Sequence, residues 1–221
     1  MSFVVAIDGP AGSGKGTITK LVAKKLNLVN VDTGAMYRCV ALKAMRNHID
    51  STEIKKIEEL LEDITIEIKR EGEKQKIFLD REDVSYQIRT PEVDACVAKF
   101  AALACVRNKV TPLQRKMGEM QDIIMEGRDI GTTVFPHADV KIYLDASIEE
   151  RAKRRYKQDL EKGMEVTYEE VLKMIKERHK LETEREISPL VQAEDAIYID
   201  SSNMTIEEVV NKVVEIVEKK R

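Results

Sequence analysis

Gly9-Pro10-Ala11-Gly12-Ser13-Gly14-Lys15-Gly16-Thr17 follows the apolar run Phe3-Val4-Val5-Ala6-Ile7 and opens a segment in which Ile18, Leu21, Val22 and Leu26 recur at helical spacing. A strand, a glycine-rich turn and a helix in that order make a phosphate-binding loop. The Gly-x4-Gly-Lys spacing lets successive backbone N–H groups face one polyphosphate, and glycine accepts the positive φ and close approach that a side chain blocks. Lys15 reaches the β- and γ-phosphates, and the helix dipole adds to the attraction. The nucleotide-binding set is therefore Gly9, Pro10, Ala11, Gly12, Ser13, Gly14, Lys15, Gly16 and Thr17. One position departs from the common pattern. Gly16 stands where many such loops carry the Ser or Thr that holds Mg²⁺, which makes Thr17 the candidate for that task.

Outward from the loop, short apolar runs alternate with helix-period segments, the pattern of a mostly parallel sheet covered on both faces. Strands are predicted at Phe3–Ile7, Leu28–Val31, Asp122–Met125, Val140–Leu144 and Ile197–Ile199, each ending at a polar residue or glycine. Ligands of such sheets bind beyond the carboxyl ends of the strands. The fold class is thus α/β, a five-stranded parallel sheet with helices on both faces. Between the second and third strands Ile64, Ile66 and Ile68 alternate with polar residues before Glu71-Gly72-Glu73 and Ile77-Phe78-Leu79, which reads as a small antiparallel insert. Capping boxes are expected at Ser147/Glu150, Thr167/Glu170 and Thr205/Glu208. The last opens an amphipathic helix with Ile206, Val209, Val210, Val213, Val214 and Val217 as its core stripe.

With 221 residues, 43% of them hydrophobic, the chain can bury a full core without disulfides or structural metals. One domain is expected, with a core of residues 1–32, 108–150 and 186–221, an insert-bearing region over 33–107 and an arm over 151–185. The formal charge of −3 argues against binding a nucleic-acid polymer through bulk electrostatics. No secretory leader or long apolar span is legible, and Cys39, Cys96 and Cys105 are an odd number without metal-ligand spacing. A reducing cytoplasm, no membrane and a monomer are the expectations.

Four further segments place charge where a buried sheet ends. In Asp32-Thr33-Gly34-Ala35-Met36-Tyr37-Arg38, Arg38 lies about one helical turn beyond Gly34, while Asp32 and Thr33 serve equally as helix caps. Glu126-Gly127-Arg128-Asp129-Ile130-Gly131-Thr132 follows the third strand, and a carboxylate there, Glu126, is a candidate water-mediated Mg²⁺ contact. Gln87 to Val93 closes the insert, with Arg107 after it; a lone arginine on a helix is ordinarily a solvated face. Arg151, Arg154, Arg155, Arg178 and Arg185 suit an arm that folds cations over a transferring phosphoryl group, although i,i+4 pairing with Glu accounts for any one of them.

Together these motifs resemble the bacterial cytidylate kinases, P-loop nucleoside monophosphate kinases, over almost the whole chain. The resemblance rests on Ile7-Asp8-Gly9-Pro10 through Thr17, Asp32 through Arg38, Ile88-Arg89-Thr90, and Gly127 through Thr132. It implies ATP-dependent phosphorylation of CMP and dCMP, with Mg²⁺ as cofactor. Thr33, Arg107, Asp129 and Arg185 are then expected to read cytosine, Arg38 and Arg128 to grip the acceptor phosphate, and Arg178 and Glu182 to contact the ribose. Lys15, Arg128 and Arg154 become the catalytic cations, and Thr17 and Glu126 the metal contacts. Three positions in the sugar-facing region depart from the family: His179 and Glu182 replace aspartates in Arg-Asp-x-x-Asp-x-x-Arg, and Ala98 falls near a relative's sugar-binding serine. A P-loop switch protein would need an Asn-Lys-x-Asp guanine reader, which is absent. A small-molecule kinase with a UMP, AMP or shikimate-type acceptor remains the alternative.

Overall fold

The computed structural model describes residues 2–71 and 74–221. Contacts divide the chain into two compact units, Met1–Asp32 with Arg115–Arg221, and Thr33–Gln114. The first unit begins with β1 (Val4–Asp8), α1 (Lys15–Leu26) and β2 (Val29–Asp32). The second follows, with α2 (Thr33–Arg46), α3 (Ile54–Glu62), β3 (Ile66–Glu71), β4 (Lys74–Leu79), β5 (Glu82–Asp83), α4 (Pro91–Ala101) and most of α5 (Ala104–Met120). The chain then completes the first unit with β6 (Ile123–Gly127), β7 (Val140–Asp145), α6 (Ile148–Glu161), α7 (Tyr168–Glu184), β8 (Ile197–Asp200) and α8 (Ile206–Glu218).

The five-stranded sheet of the first unit is parallel throughout, in the order β2-β6-β1-β7-β8. Its central strands read Val-Val-Ala-Ile-Asp and Ile-Ile-Met-Glu-Gly and are buried along their whole length, as strands covered on both faces must be. The predicted strands gain a residue at their C-terminal ends because the ladder continues through Asp8, Asp32, Asp145 and Asp200. Ile18 and Val22 of α1 and Val209, Val213 and Val217 of α8 pack with Val5, Ile7, Ile124, Ile142 and Leu144 in one core. Ile206 is exposed, since the first residue of α8 precedes the stripe's contact. Order β2-β6-β1-β7-β8 reverses direction around β1, the position from which the phosphate-binding loop departs.

Two of the three expected capping boxes are complete, Thr167 with Glu170 and Thr205 with Glu208. Ser147 is half a box. Its hydroxyl accepts from Glu150 N, but its own N–H donates to Ser202 Oγ and the Glu150 carboxylate accepts from Arg154 instead. A long-range partner thus replaces the local one.

In the second unit β3 and β4 pair antiparallel, Ile66 with Leu79 and Ile68 with Ile77, and β5 adds a third strand. The alternating isoleucines put Ile66, Ile77 and Leu79 inside. Residues 72 and 73 of the expected turn lie outside the described residues. The strand β5 has no apolar residue to announce it; Val84 N donates to Ile77 O and Ser85 Oγ accepts from Ile77 N, and these bonds hold it.

Candidate active site

The loop from Gly9 to Gly14 leaves β1 and turns into α1. Gly12 has φ of +82°, and a Cβ there would lie 2.9 Å from the Arg151 carbonyl oxygen, so neither the backbone nor the space admits a side chain. Lys15 is buried, its Nζ donating to Pro10 O at 2.7 Å and to Ser13 Oγ at 3.2 Å. Burial, then the nearby Arg128, pushes its pKa down, against the pull of Glu126, Glu182 and Asp8. An anion placed beside it would favour the charged ammonium.

Glu126 and Asp32 sit opposite each other on the tips of β6 and β2. Burial, then the like charge of Asp32, raises the pKa of Glu126, with Lys15 opposing. Thr19, which sequence reasoning missed, is buried and donates to Glu126 Oε1 at 3.3 Å and to Lys15 O at 3.0 Å. Gly16 also acquires a physical reason: a Cβ there would stand 3.2 Å from Glu126 Oε1, so α1 begins close against this carboxylate. The hydroxyl of the exposed Thr17 and the paired carboxylates are hard oxygen donors of the kind Mg²⁺ takes through its water shell. Among the described residues no group of three or more His, Cys, Asp or Glu is placed to hold a metal ion directly.

The arm's arginines separate by role. Arg151 is buried and braces the loop, donating from Nε to Ala146 O and from Nη1 to Ala11 O. Arg154 lies over the loop as well, bonded to Ser13 O, to Ser201 Oγ at 3.0 Å and to Ser201 O at 2.7 Å, and paired with Glu150. Ser201, at the end of β8, is a second residue that no motif announced. Arg155 is engaged by Asp159 at 2.9 Å, an i,i+4 pair with an aspartate rather than the expected glutamate.

Glu182 joins two of the predicted binding residues. Arg128 Nε donates to its Oε2 at 2.8 Å and Arg178 Nε to its Oε1 at 2.9 Å. Burial works to raise the carboxyl's pKa, but the two guanidinium charges and their hydrogen bonds overcome it and hold the pKa well below the usual carboxylate range. Asp129 and Arg185, both expected to read the base, form a buried pair at 3.6 Å. Arg185 Nε also donates to Ser188 O.

The other expected acceptor residues belong to the unit Thr33–Gln114. Thr33 is buried at the first turn of α2. Arg38 Nε and Nη2 both donate to Asp94 Oδ1, at 3.1 and 2.9 Å. Arg107 is buried rather than a solvated face: its guanidinium stands 5.3 Å from the Tyr37 ring centre and donates to Ala101 O. A buried, ring-stacked arginine is the signal that spacing could not carry.

The family model for cytidylate kinase matches residues 5–219. The chain belongs to the cytidylate kinase family. It is 50% identical to the cytidylate kinase of Carboxydothermus hydrogenoformans, covering 98% of this chain and 97% of that one. The cytidylate kinase of Fusobacterium nucleatum is 47% identical, with 99% and 98% covered, and that of Bacillus subtilis 45%, with 98% and 96%. Among solved structures, an uncharacterised protein from Eubacterium ventriosum aligns at TM-score 0.54 and 12% identity, covering 99% of both chains. A gluconokinase from Sinorhizobium meliloti aligns at TM-score 0.50 and 11% identity over 98% of this chain and 92% of that one. At such identities these two speak for the fold alone. Membership of the cytidylate kinase family makes the chain a phosphotransferase with a phosphate group as acceptor.

Proposed function

We infer that the protein phosphorylates CMP at the expense of ATP, giving CDP and ADP, and that dCMP serves as a second acceptor. The observation that carries this reading is the extent of the family match, residues 5–219, which takes in the phosphate-binding loop, the Arg128-Asp129 segment and the arm together. Kinases with UMP-, AMP- or shikimate-type acceptors share the loop and the sheet but are not favoured by that match.

The transfer is an in-line displacement on the γ-phosphorus. An α-phosphate oxygen of CMP attacks, the bond to the β–γ bridging oxygen breaks, and ADP leaves with the electron pair. The attacking oxygen is already ionised near neutral pH, so no general base is required. The chain's contribution is position and charge. The backbone N–H groups of Gly9–Thr17 cradle the ATP phosphates, Lys15 stabilises charge on the transferring oxygens, and Arg154 adds a second cation above the loop. Thr17 and Glu126 would hold Mg²⁺ through water, and the ion would neutralise charge on the β- and γ-phosphates. In the loop-bearing unit Arg128 takes the acceptor phosphate, Asp129 and Arg185 the base, and Arg178 and Glu182 the sugar. In the second unit Arg38 is assigned to the acceptor phosphate, and Thr33 and Arg107 to the base.

No helix among the described residues is long and apolar enough to cross a membrane. A cytoplasmic monomer acting on free nucleotides completes the reading, in keeping with three free cysteines. The test is acceptor-dependent ADP release with CMP, dCMP, UMP, AMP and shikimate under one set of conditions. Release with CMP above the others is expected; equal or greater release with another acceptor overturns the assignment.

A further inference from the structure

Asp129 begins a π-helical turn, Ile130–Val134, at the N-cap position, yet its carboxylate makes no capping bond to that turn. An aspartate at an N-cap ordinarily turns its side chain back onto the N–H groups that follow it. Here the first two of those N–H groups are occupied from elsewhere. Ile130 N donates to Asp8 Oδ1 at 2.8 Å and Gly131 N to Asp8 Oδ2 at 2.7 Å, so both oxygens of a carboxylate 122 residues away cap the turn. The Asp129 carboxylate is thereby kept for Arg185, 3.6 Å away.

The fit around this cap is close. A Cβ at Gly131 would meet Asp8 Oδ2 at 3.4 Å and the Lys141 side chain at 3.2 Å. The stem of Lys141 thus walls the turn on one side while its Nζ is anchored by Asp195 at 2.8 Å. Asp8 is 5% exposed, and burial raises its pKa to about 6 even against the two backbone bonds, with Asp129 as a like charge and Lys15 as an opposite one nearby. Burying a carboxylate beside another carries a desolvation and repulsion cost that a neutral Asn or Ser cap would not incur.

We propose that Asp8 is a positioning residue for acceptor recognition: by capping Ile130 and Gly131 from β1 it relieves Asp129 of self-capping and keeps that carboxylate turned to Arg185 and to the base. Because Asp8 immediately precedes the phosphate-binding loop, one strand end sets both the donor cradle and the acceptor reader. The inference rests on the acceptor reading given above.

The test is a double-mutant cycle of Asp8→Asn and Asp129→Ala, with Asp8→Ala as the stronger variant. Asp8→Asn should raise the KM for CMP roughly tenfold and narrow the preference for CMP over UMP, with the KM for ATP within about twofold of the wild type. In the Asp129→Ala background Asp8→Asn should change the CMP/UMP preference no further, since the residue it positions is gone. Additive effects in the cycle, or equal effects on ATP and CMP, overturn the proposal, because a purely structural role predicts both. Failure of both Asp8 variants to fold also overturns it. Hydrogen exchange at the Ile130 and Gly131 amides is read on the same proteins without any acceptor. Slow exchange in the wild type and faster exchange in Asp8→Asn are expected; fast exchange in the wild type overturns the cap even if the enzyme proves to use another acceptor. A wild type that releases no ADP with CMP overturns the functional reading separately.

Discussion

The loop-bearing unit and the Thr33–Gln114 unit build their candidate binding groups by different means. Around Gly9–Thr17 the backbone does the work: Gly12 is fixed by a positive φ and by Arg151 behind it, and Lys15 is bonded to its own loop. In the Thr33–Gln114 unit the candidate groups are side chains on helices, Arg38 paired with Asp94 and Arg107 held by the Tyr37 ring and by Ala101 O. Recognition by backbone demands glycines at set intervals and so leaves a spacing in the sequence. Recognition by a helical side chain demands only one residue at the right height, and leaves none.

The comparison breaks if the loop's charge matters no more than any surface cation. Lys15→Ala is expected to lower kcat/KM by about 10³-fold or more, the lower end for a cation matched to the phosphoryl transition state, with the fold retained. Near-normal turnover by a folded variant would remove the loop from the chemistry.

A smaller, structural effect is expected at Glu182, where the loop-bearing unit also relies on side chains. Glu182→Gln leaves Arg128 and Arg178 without their shared counter-ion and should destabilise the fold by about 3 kcal/mol, measured by denaturant unfolding. The carboxyl's folded pKa lies below its ordinary 4.5, so its contribution is fully present above that value and is lost as pH falls through the lower folded pKa. The stability gap between wild type and variant should therefore be flat from pH 5 to 8 and narrow below about 4.5. A gap that closes as pH rises from 5 to 8 would contradict the sign.

Much of the loop-bearing unit is legible because its central strands are fully buried and its loop is written in glycines. Four of the five core strands were placed to within a residue at each end, Asp122–Met125 against Ile123–Gly127 being the exception by two. The second unit's hairpin was legible from alternating isoleucines, but β5 was not, since Glu82-Asp83 carries no apolar signal. Thr19, Ser201 and Asp8 escaped for another reason. Each matters through a partner more than a hundred residues distant, Glu126, Ser13 and Ile130 respectively, and no local period encodes such a contact. The arm's arginines show the same limit: i,i+4 pairing with Glu is visible for Arg154 and Arg178, whereas the bracing of Ala11 by Arg151 is not.

Base selection sharpens the comparison further. Asp129→Ala and Arg185→Ala each remove one member of a buried pair in the loop-bearing unit. Each should reduce the kcat/KM preference for CMP over UMP by about 10- to 100-fold while moving the KM for ATP little, since a buried polar reader rejects a wrong base by leaving its own groups unpaired. Arg38→Ala, in the other unit, should raise the KM for every monophosphate alike, because a phosphate contact carries no information about the base. If Arg38→Ala changes the preference as much as Asp129→Ala does, the division of labour fails.

The smallest effect is expected at the sugar. A ribose 2′-hydroxyl is favoured over hydrogen only where a fixed partner awaits it, and a neutral hydrogen bond contributes roughly 0.5–1.5 kcal/mol. Ala98, on α4, has no polar side-chain atom to offer. Glu182 is ionised and well placed, but each of its carboxylate oxygens already accepts from a guanidinium, Arg128 at 2.8 Å and Arg178 at 2.9 Å. Those two charges are stronger donors than a hydroxyl, so a 2′-hydroxyl meets a carboxylate whose demand is largely met. The expected outcome is dCMP phosphorylated within about tenfold of CMP in kcat/KM. Glu182→Asp is the sharpening variant: a side chain one methylene shorter cannot span both arginines as Glu182 does, and an oxygen released from either should raise the preference for CMP. A wild-type preference of a hundredfold or more would instead show that Glu182, bridged as it is, still takes the hydroxyl, and that the longer side chain replaces the family's aspartate without loss.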